Sequence, residues 1–220
     1  MADGFEQMVD AALPFFAELA TNNSKDWFEP KKAFYNAEIK KPAAFLADLL
    51  SEDLARVTGK PHTPKVFRIY RDVRFSKDKT PLNAHLHLMW ASLDKDALAP
   101  AWFCGLSPEY FIVGMGVMGL QGESLTRYRA FVDHWGDGLA AALEGVTAKG
   151  GALSDWGPAP LKRVPKPYDP DHRHGDLLKR KALALSLPVA QDWRDAGLVK
   201  AVNDRVVDLM PVWRLFDQHL

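Results

Sequence analysis

The chain has 220 residues, 47% of them hydrophobic and 25% charged, which is enough to bury one sizeable core in one large domain or two small ones. Its 28 basic and 28 acidic residues cancel, so the molecule as a whole exerts no electrostatic pull on nucleic acid or anionic membrane. The single cysteine, Cys104, excludes an intrachain disulfide and a multi-cysteine zinc site, and no apolar run approaches the ~18 residues of a membrane span.

Phe5, Met8, Val9, Ala12, Phe16 and Leu19 recur at three- and four-residue steps and predict a first helix. Thr21 to Ser24 supply turn and N-cap chemistry for a second, carrying Trp27, Phe28, Lys31, Phe34, Tyr35 and Ile39. Pro42 either kinks that helix or starts a third, expected to bury Phe45, Leu46, Leu49, Leu50 and Leu54 and to stop near Gly59. After Pro64 the period becomes two. Phe67, Ile69, Val73 and Phe75 alternate with Arg68, Tyr70, Asp72 and Arg74, which predicts a half-buried strand from Lys65 to Arg74, with Arg71 on its apolar side.

A polar turn, Ser76 to Pro81, leads to a second alternating run. There Leu82, Ala84, Leu86, Leu88 and Trp90 alternate with Asn83, His85, His87 and Met89. Ala101 to Leu106 and Tyr110 to Met118 read as further strands joined by the hairpin signal Ser107-Pro108. Strands in series without helices between them argue for antiparallel pairing. Glu123 to Leu143 is helical, with Leu125, Tyr128, Val132, Trp135, Leu139 and Leu143 on one side. Gly145 to Gly175 is too long for a plain connection, so it carries short strands of its own or a function. Leu183 to Val189 reads as a strand, and Leu198, Val202, Val206, Leu209, Trp213 and Phe216 as a closing helix. The expected fold is one α+β domain over residues 1–220, with N-terminal helices on a mainly antiparallel sheet and C-terminal helices closing it. The tryptophans at 27, 90, 102, 135 and 213 fall on apolar faces and are expected in the core.

Val66 to Trp90, reading VFRIYRDVRFSKDKTPLNAHLHLMW, concentrates the chemistry. Arginine offers a planar fork of donors to phosphate or carboxylate, and lysine a mobile positive charge. Arg68 and Arg74 lie six residues apart on one strand face, roughly 20 Å at about 3.3 Å per residue, too far to grip one phosphate unless the strand bends. Arg74, Lys77 and Lys79, gathered around the turn beside Ser76, make a better trio. Arg71, facing the core, calls for a buried partner. Asp72 and Asp78 can partner these cations, and with His85 they are the candidates for proton transfer. A second cluster, Lys162, Arg163 and Lys166, sits with Asp169, Asp171 and His172 in a proline-stiffened loop. The two clusters form one anion pocket only if that loop folds back onto the turn.

Three motif matches carry less. Ser76 to Lys79 spells Ser-x-x-Lys but lacks the companion motifs of that nucleophile. His85 and His87 share a strand face without an evident third metal ligand. Gly114 to Gly119 spells Gly-x-Gly-x-x-Gly, yet a Pro-rich loop follows instead of a second strand with an acidic end.

The function expected is therefore binding of a small phosphorylated or carboxylated molecule, with enzymatic turnover of that ligand left open. The alternative is a non-catalytic module for a nucleic acid or protein partner, which the neutral charge disfavours for nucleic acid. No motif indicates a metal or names a cofactor, and nothing specifies an oligomeric state. The N-terminal MADGFEQM has neither the basic start nor the apolar core of a signal peptide, so a cytoplasmic setting away from membranes is expected.

Five stretches carry a resemblance: FFAELATNNSKDWFEPKKAFY, FRIYRDVRFSKDKTP, the glycine-rich segment before Leu120, LTRYR at 125–129 and LKRVPKPYDPDH. From about Phe15 onward the chain resembles the domain of unknown function 2461 family. The resemblance implies an α+β fold and a cytosolic protein, and it supplies no catalytic residues to carry over. Leu82 and Asn83 stand where the family continues Thr-Pro with an aromatic residue and a lysine, and Pro167 where it tends to have glycine.

Overall fold

The computed structural model describes residues 4–93 and 98–220, so the first three residues of the N-terminal stretch read above lie outside it. Helix α1 (Glu6–Thr21) buries Met8, Val9, Ala12, Phe15, Phe16 and Leu19, the face that the helical spacing predicts. Ser24 caps α2 (Lys25–Phe28), its hydroxyl accepting from the Trp27 N–H at 3.2 Å. The expected second helix then runs through several helical geometries. A 3-10 turn (Glu29–Lys31), α3 (Lys32–Phe34) and a π-helical turn (Tyr35–Lys40) lead into α4 (Lys41–Thr58). Pro42 sits in the first turn of α4, directly after the π-helical turn, and Gly59 ends it at φ 73°. Phe45 lies off the buried side of α4, 65% exposed, and stacks on Phe5 at 6.0 Å.

The remaining elements are β1 (His62–Val66), β2 (Leu86–Ser92), β3 (Ala101–Leu106), β4 (Phe111–Val117), α5 (Gly122–Thr147), β5 (Ala152–Leu153), α6 (Gly175–Leu178), β6 (Leu183–Pro188), α7 (Trp193–Ala196) and α8 (Leu198–His219). Among the described residues six strands form one sheet in the order β1-β2-β3-β4-β6-β5, and every pairing is antiparallel. The long loop thus carries one short strand, β5, on the sheet edge opposite β1.

Period-two alternation divides the sheet into two faces. On one, Leu86, Leu88, Cys104, Leu106 and Phe111 meet Met8 of α1, Leu46 of α4 and Leu198 of α8. Trp90 lies on the same face and donates its indole N–H to the Ala47 carbonyl at 2.8 Å. Phe131 of α5 packs on Phe216 of α8 at 5.4 Å and completes the helical layer. Trp90, Trp102 and Trp213 are buried in the core as expected, whereas Trp135 is exposed and stacks on His219 at 3.8 Å.

The largest departure is the strand expected from Lys65 to Arg74. β1 ends at Val66, opposite Leu88. Past the Phe67 N–H to His87 carbonyl bond of 2.9 Å, the chain leaves the sheet as an arm. The arm touches itself through one β-bridge, Tyr70 with Leu82, flanked by the Arg71 N–H to Pro81 carbonyl (2.8 Å) and Asn83 N–H to Ile69 carbonyl (2.7 Å) bonds. Alternation needs a neighbouring strand and a covering layer to become a half-buried strand. Beyond Tyr70 the arm has neither, and Phe75 near its tip is 95% exposed.

Candidate functional site

Asn23 anchors the arm to the helical layer. Its side-chain amide donates to the Leu82 carbonyl at 2.9 Å, and its amide oxygen accepts from the Leu82 N–H at 3.1 Å, imitating a strand neighbour. Further out, the charged side chains hold the arm's own shape. Arg71 Nη1 donates to Asp78 Oδ2 at 2.6 Å, to the Thr80 carbonyl at 3.1 Å and to the Thr80 hydroxyl. Arg74 grips Asp72 with both branches of its fork, at 2.9 and 2.7 Å. Lys79 Nζ donates to the Val73 carbonyl at 2.9 Å.

These contacts redistribute the expected roles. Arg71 is paired, but not in the buried pair that its pattern position called for: its side chain is 26% exposed and that of Asp78 is 60%. Of the trio at the turn, Arg74 and Lys79 are engaged internally, while Lys77 and Arg68 are exposed and make no side-chain hydrogen bond within the described residues. The engaged Lys79 leaves Ser76 without the lysine that a Ser-x-x-Lys nucleophile needs. Asp78 is pulled down to about 2, chiefly by the Thr80 N–H and the Arg71 guanidinium. Arg74 likewise holds Asp72 below the usual carboxylate range. Carboxylates that acidic are weak bases near neutrality, so their geometry is that of arginine-orienting groups.

Lys162, Arg163 and Lys166 lie in a loop fastened elsewhere. Leu161 N–H bonds the Lys179 carbonyl at 2.8 Å, His172 Nε2 meets Asp133 of α5 at 3.1 Å, and His174 Nε2 meets Asp137 at 2.6 Å. The backbone N–H of His174 donates to His172 Nδ1 at 3.0 Å, so one nitrogen of His172 joins the loop to α5 and the other is occupied within the loop. No hydrogen bond, ion pair or ring contact among the described residues links this loop to the arm.

What the structure does bring together is a row of aromatic and imidazole rings on the sheet face opposite the helices. Phe67 stacks on His87 (4.9 Å), and His87 meets Phe103 (5.9 Å), Trp156 (5.6 Å) and His85 (6.2 Å). His85 in turn approaches Tyr110 at 6.5 Å. Phe67, His87, Met89, Phe103, Met118 and Trp156 wall a cavity of about 180 Å³. Burial, with His85 as a smaller cause, pushes the His87 imidazole down to about 4. His85 is lowered by burial first and then by the charge of Arg71. Neither imidazole makes a hydrogen bond within the described residues. Arg71 is held by Nη1 alone, leaving Nε and Nη2 without a partner among the described residues.

The site thus runs from the ring-walled cavity past His87 and His85 to the half-used fork of Arg71. Sequence reasoning found Arg71 and His85, and it placed His87 on the same strand face. Alternation around β2 and β3 could have added Phe67 and Phe103. Nothing local marks Trp156, which arrives from the far edge of the sheet.

A larger cavity of about 380 Å³, between the end of β2 and α8, has its cations committed: Lys60 to Asp217, and Arg127 to the Leu220 carbonyl at 2.5 Å. The Gly-x-Gly-x-x-Gly run is not a phosphate loop. Gly114 and Gly116 lie inside β4, antiparallel to both of its neighbours, and only Gly119 adopts a positive φ, 66°. Among the described residues no group of three metal-binding side chains assembles, and no helix is long and apolar enough to cross a membrane.

Fold and site together define a two-layer α+β protein whose helices gather on one face of an antiparallel sheet. Residues 11–214 match the family described as conserved hypothetical protein (DUF2461), and the chain belongs to that family. No curated protein matches it.

Proposed function

We propose that this chain binds a small carboxylated or phosphorylated molecule on the sheet face opposite the helices, in a cytoplasmic setting. The anionic group would lie between Arg71 and His85, and His85 is the group for proton transfer. The observation that carries this reading is the pair of adjacent imidazoles with lowered pKa and no hydrogen bond among the described residues, together with a guanidinium engaged there through Nη1 alone. All three side chains are half-buried rather than sealed, so their nitrogens stay open to an arriving anion. Asp72 and Asp78 act here by orienting Arg74 and Arg71.

Isothermal titration with small monocarboxylates and monophosphates tests it. A charge-assisted hydrogen bond is worth about 1.5–3 kcal/mol, so Arg71→Ala is expected to weaken binding about 10- to 150-fold. Arg74→Ala with Lys79→Ala should change it far less, because both cations are already engaged within the arm. The reverse ranking would move the site to the arm's tip, and no saturable binding to any of these anions would refute the proposal.

Binding should also take up protons. An anion beside His85 favours the imidazolium and raises a pKa that burial and Arg71 have lowered, so the complex holds more proton than its separated components. Affinity should rise as pH falls toward about 6.5, and the binding heat should vary with the ionisation enthalpy of the buffer. Heat independent of the buffer would remove His85 from the anion site.

One observation favours a second reading, an interaction module for a protein or nucleic-acid partner. Phe75 projects from a stiff cationic arm, and its ring contacts Arg74 at 5.9 Å. In that case Phe75→Ala, with no effect on small-anion binding, would abolish partner binding.

A further inference from the structure

The ring-walled cavity specifies the body of the ligand, given the anion-binding reading above on which this inference rests. We infer that the ligand is an aromatic acid, with a single planar ring lying flat on the sheet beneath Trp156 and its anionic substituent pointing past His87 toward His85 and Arg71.

Three features of the cavity carry this. Its floor is bare: Ala101, Gly116 and Ala184 lie directly across from one another on three adjacent strands. With strands about 4.8 Å apart, that makes a platform roughly 10 Å wide with nothing larger than a methyl group standing on it. A flat ring can rest on such a platform with its whole face against the strands, which a puckered ring of the same size cannot do. The walls are aromatic, with Phe67, Phe103 and Trp156 presenting rings, and aromatic pairs are favoured at centroid separations of 4.5–7 Å. The volume, about 180 Å³, suits one ring. An apolar cavity of about 150 Å³ holds benzene, and drug-sized ligands need ≈ 300 Å³ or more.

The wall also fixes the polarity of the ligand. His87 lines the cavity and stays neutral, so an anion gains no charge partner there. At the His85 end of the row the charge of Arg71 acts on that imidazole, and Arg71 Nε and Nη2 have no partner among the described residues. A carboxylate or phosphate attached to the ring reaches that end while the ring stays on the platform. Lys65, opposite Met89 on β1, has its Nζ 4.7 Å from the centroid of the Phe67 ring, engaged as a cation over that ring.

NMR chemical-shift titrations with benzoate, phenyl phosphate, cyclohexanecarboxylate, acetate and inorganic phosphate test this on the full chain. Benzoate and phenyl phosphate are expected to bind at least about tenfold more tightly than acetate and phosphate, a difference of about 1.4 kcal/mol, and more tightly than cyclohexanecarboxylate. Ala101→Leu fills the platform and should remove the aromatic advantage while leaving acetate binding and the melting temperature near wild type. Trp156→Ala should also reduce it, as a second variant at a position outside the strands of the sheet. Acetate or cyclohexanecarboxylate binding as tightly as benzoate, or an aromatic preference that survives both variants, overturns the inference and leaves the anion site standing. Binding of none of the five overturns both.

Discussion

Gly116→Ala is expected to destabilise the protein by about 3 kcal/mol, lowering the melting temperature by about 6–12 °C. A Cβ at this position would lie 2.2 Å from the Leu183 carbonyl oxygen and 2.5 Å from the Ala184 Cα. Both are backbone atoms of β6, held by ladder hydrogen bonds, so the clash is relieved only by parting two central strands. The entropy that alanine removes from the unfolded chain, about 0.5–1 kcal/mol, offsets only part of this. Gly105→Ala is the control on the same face. Its Cβ would lie 3.0 Å from Tyr110 Cε2, a side-chain ring that can swing aside. Thermal melts of the two variants separate backbone contact from general crowding, and equal melting temperatures would show that β4 and β6 do not approach this closely.

Acid should destabilise the fold well before its carboxylates titrate. His87 is pushed down to about 4 from 6.5, so the unfolded chain binds a proton there that the folded chain refuses. The stability tied to its neutral form is fully present above about pH 6.5 and is lost as pH falls through that value toward 4, with a magnitude of about 2–3 kcal/mol. His62 and His85 are lowered by burial in the same direction. Asp78, held at about 2, keeps its charge throughout this window and is not the cause. Denaturant unfolding at pH 7.5 and pH 4.5 should show the loss, and His87→Gln, which carries no titrating proton, should shrink it. A variant that loses as much stability as wild type between these pH values would place the acid sensitivity elsewhere.

The helices were legible because each carries a sustained apolar stripe and identifiable ends, such as Ser24 at the N-cap of α2 and Gly59 at the end of α4. The hairpin of β3 and β4 was legible for the same local reason. Ser107 closes its turn, the hydroxyl accepting from the N–H groups of Glu109 and Tyr110 at 3.1 Å each. Antiparallel order followed from strands in series. The arm was misread because period two reports only that side chains can point alternately in and out, and not that a neighbour exists to receive them. Phe75 satisfies the pattern and is buried by nothing.

The candidate site divides along the same line. Local sequence located Arg71 and His85, because charge and imidazole inside an apolar alternation are conspicuous wherever the chain goes. It could not assign their partners. Arg71 meets Asp78 and Thr80 because the arm doubles back, and Arg74 turns to Asp72, so Arg71 keeps only part of its fork to spare while Arg68 keeps all of it. The cavity is wholly a product of tertiary structure. Its platform joins Ala101, Gly116 and Ala184 across three strands, and its roof, Trp156, comes from beyond β5 to contact His87 of β2. The sequence by itself determined the helices, the antiparallel class and the charged segment, all of which rest on spacings within one or two turns of chain. Only the tertiary structure decided which charges are left unpaired and which face stays open, because pairing and burial depend on residues far apart in the chain.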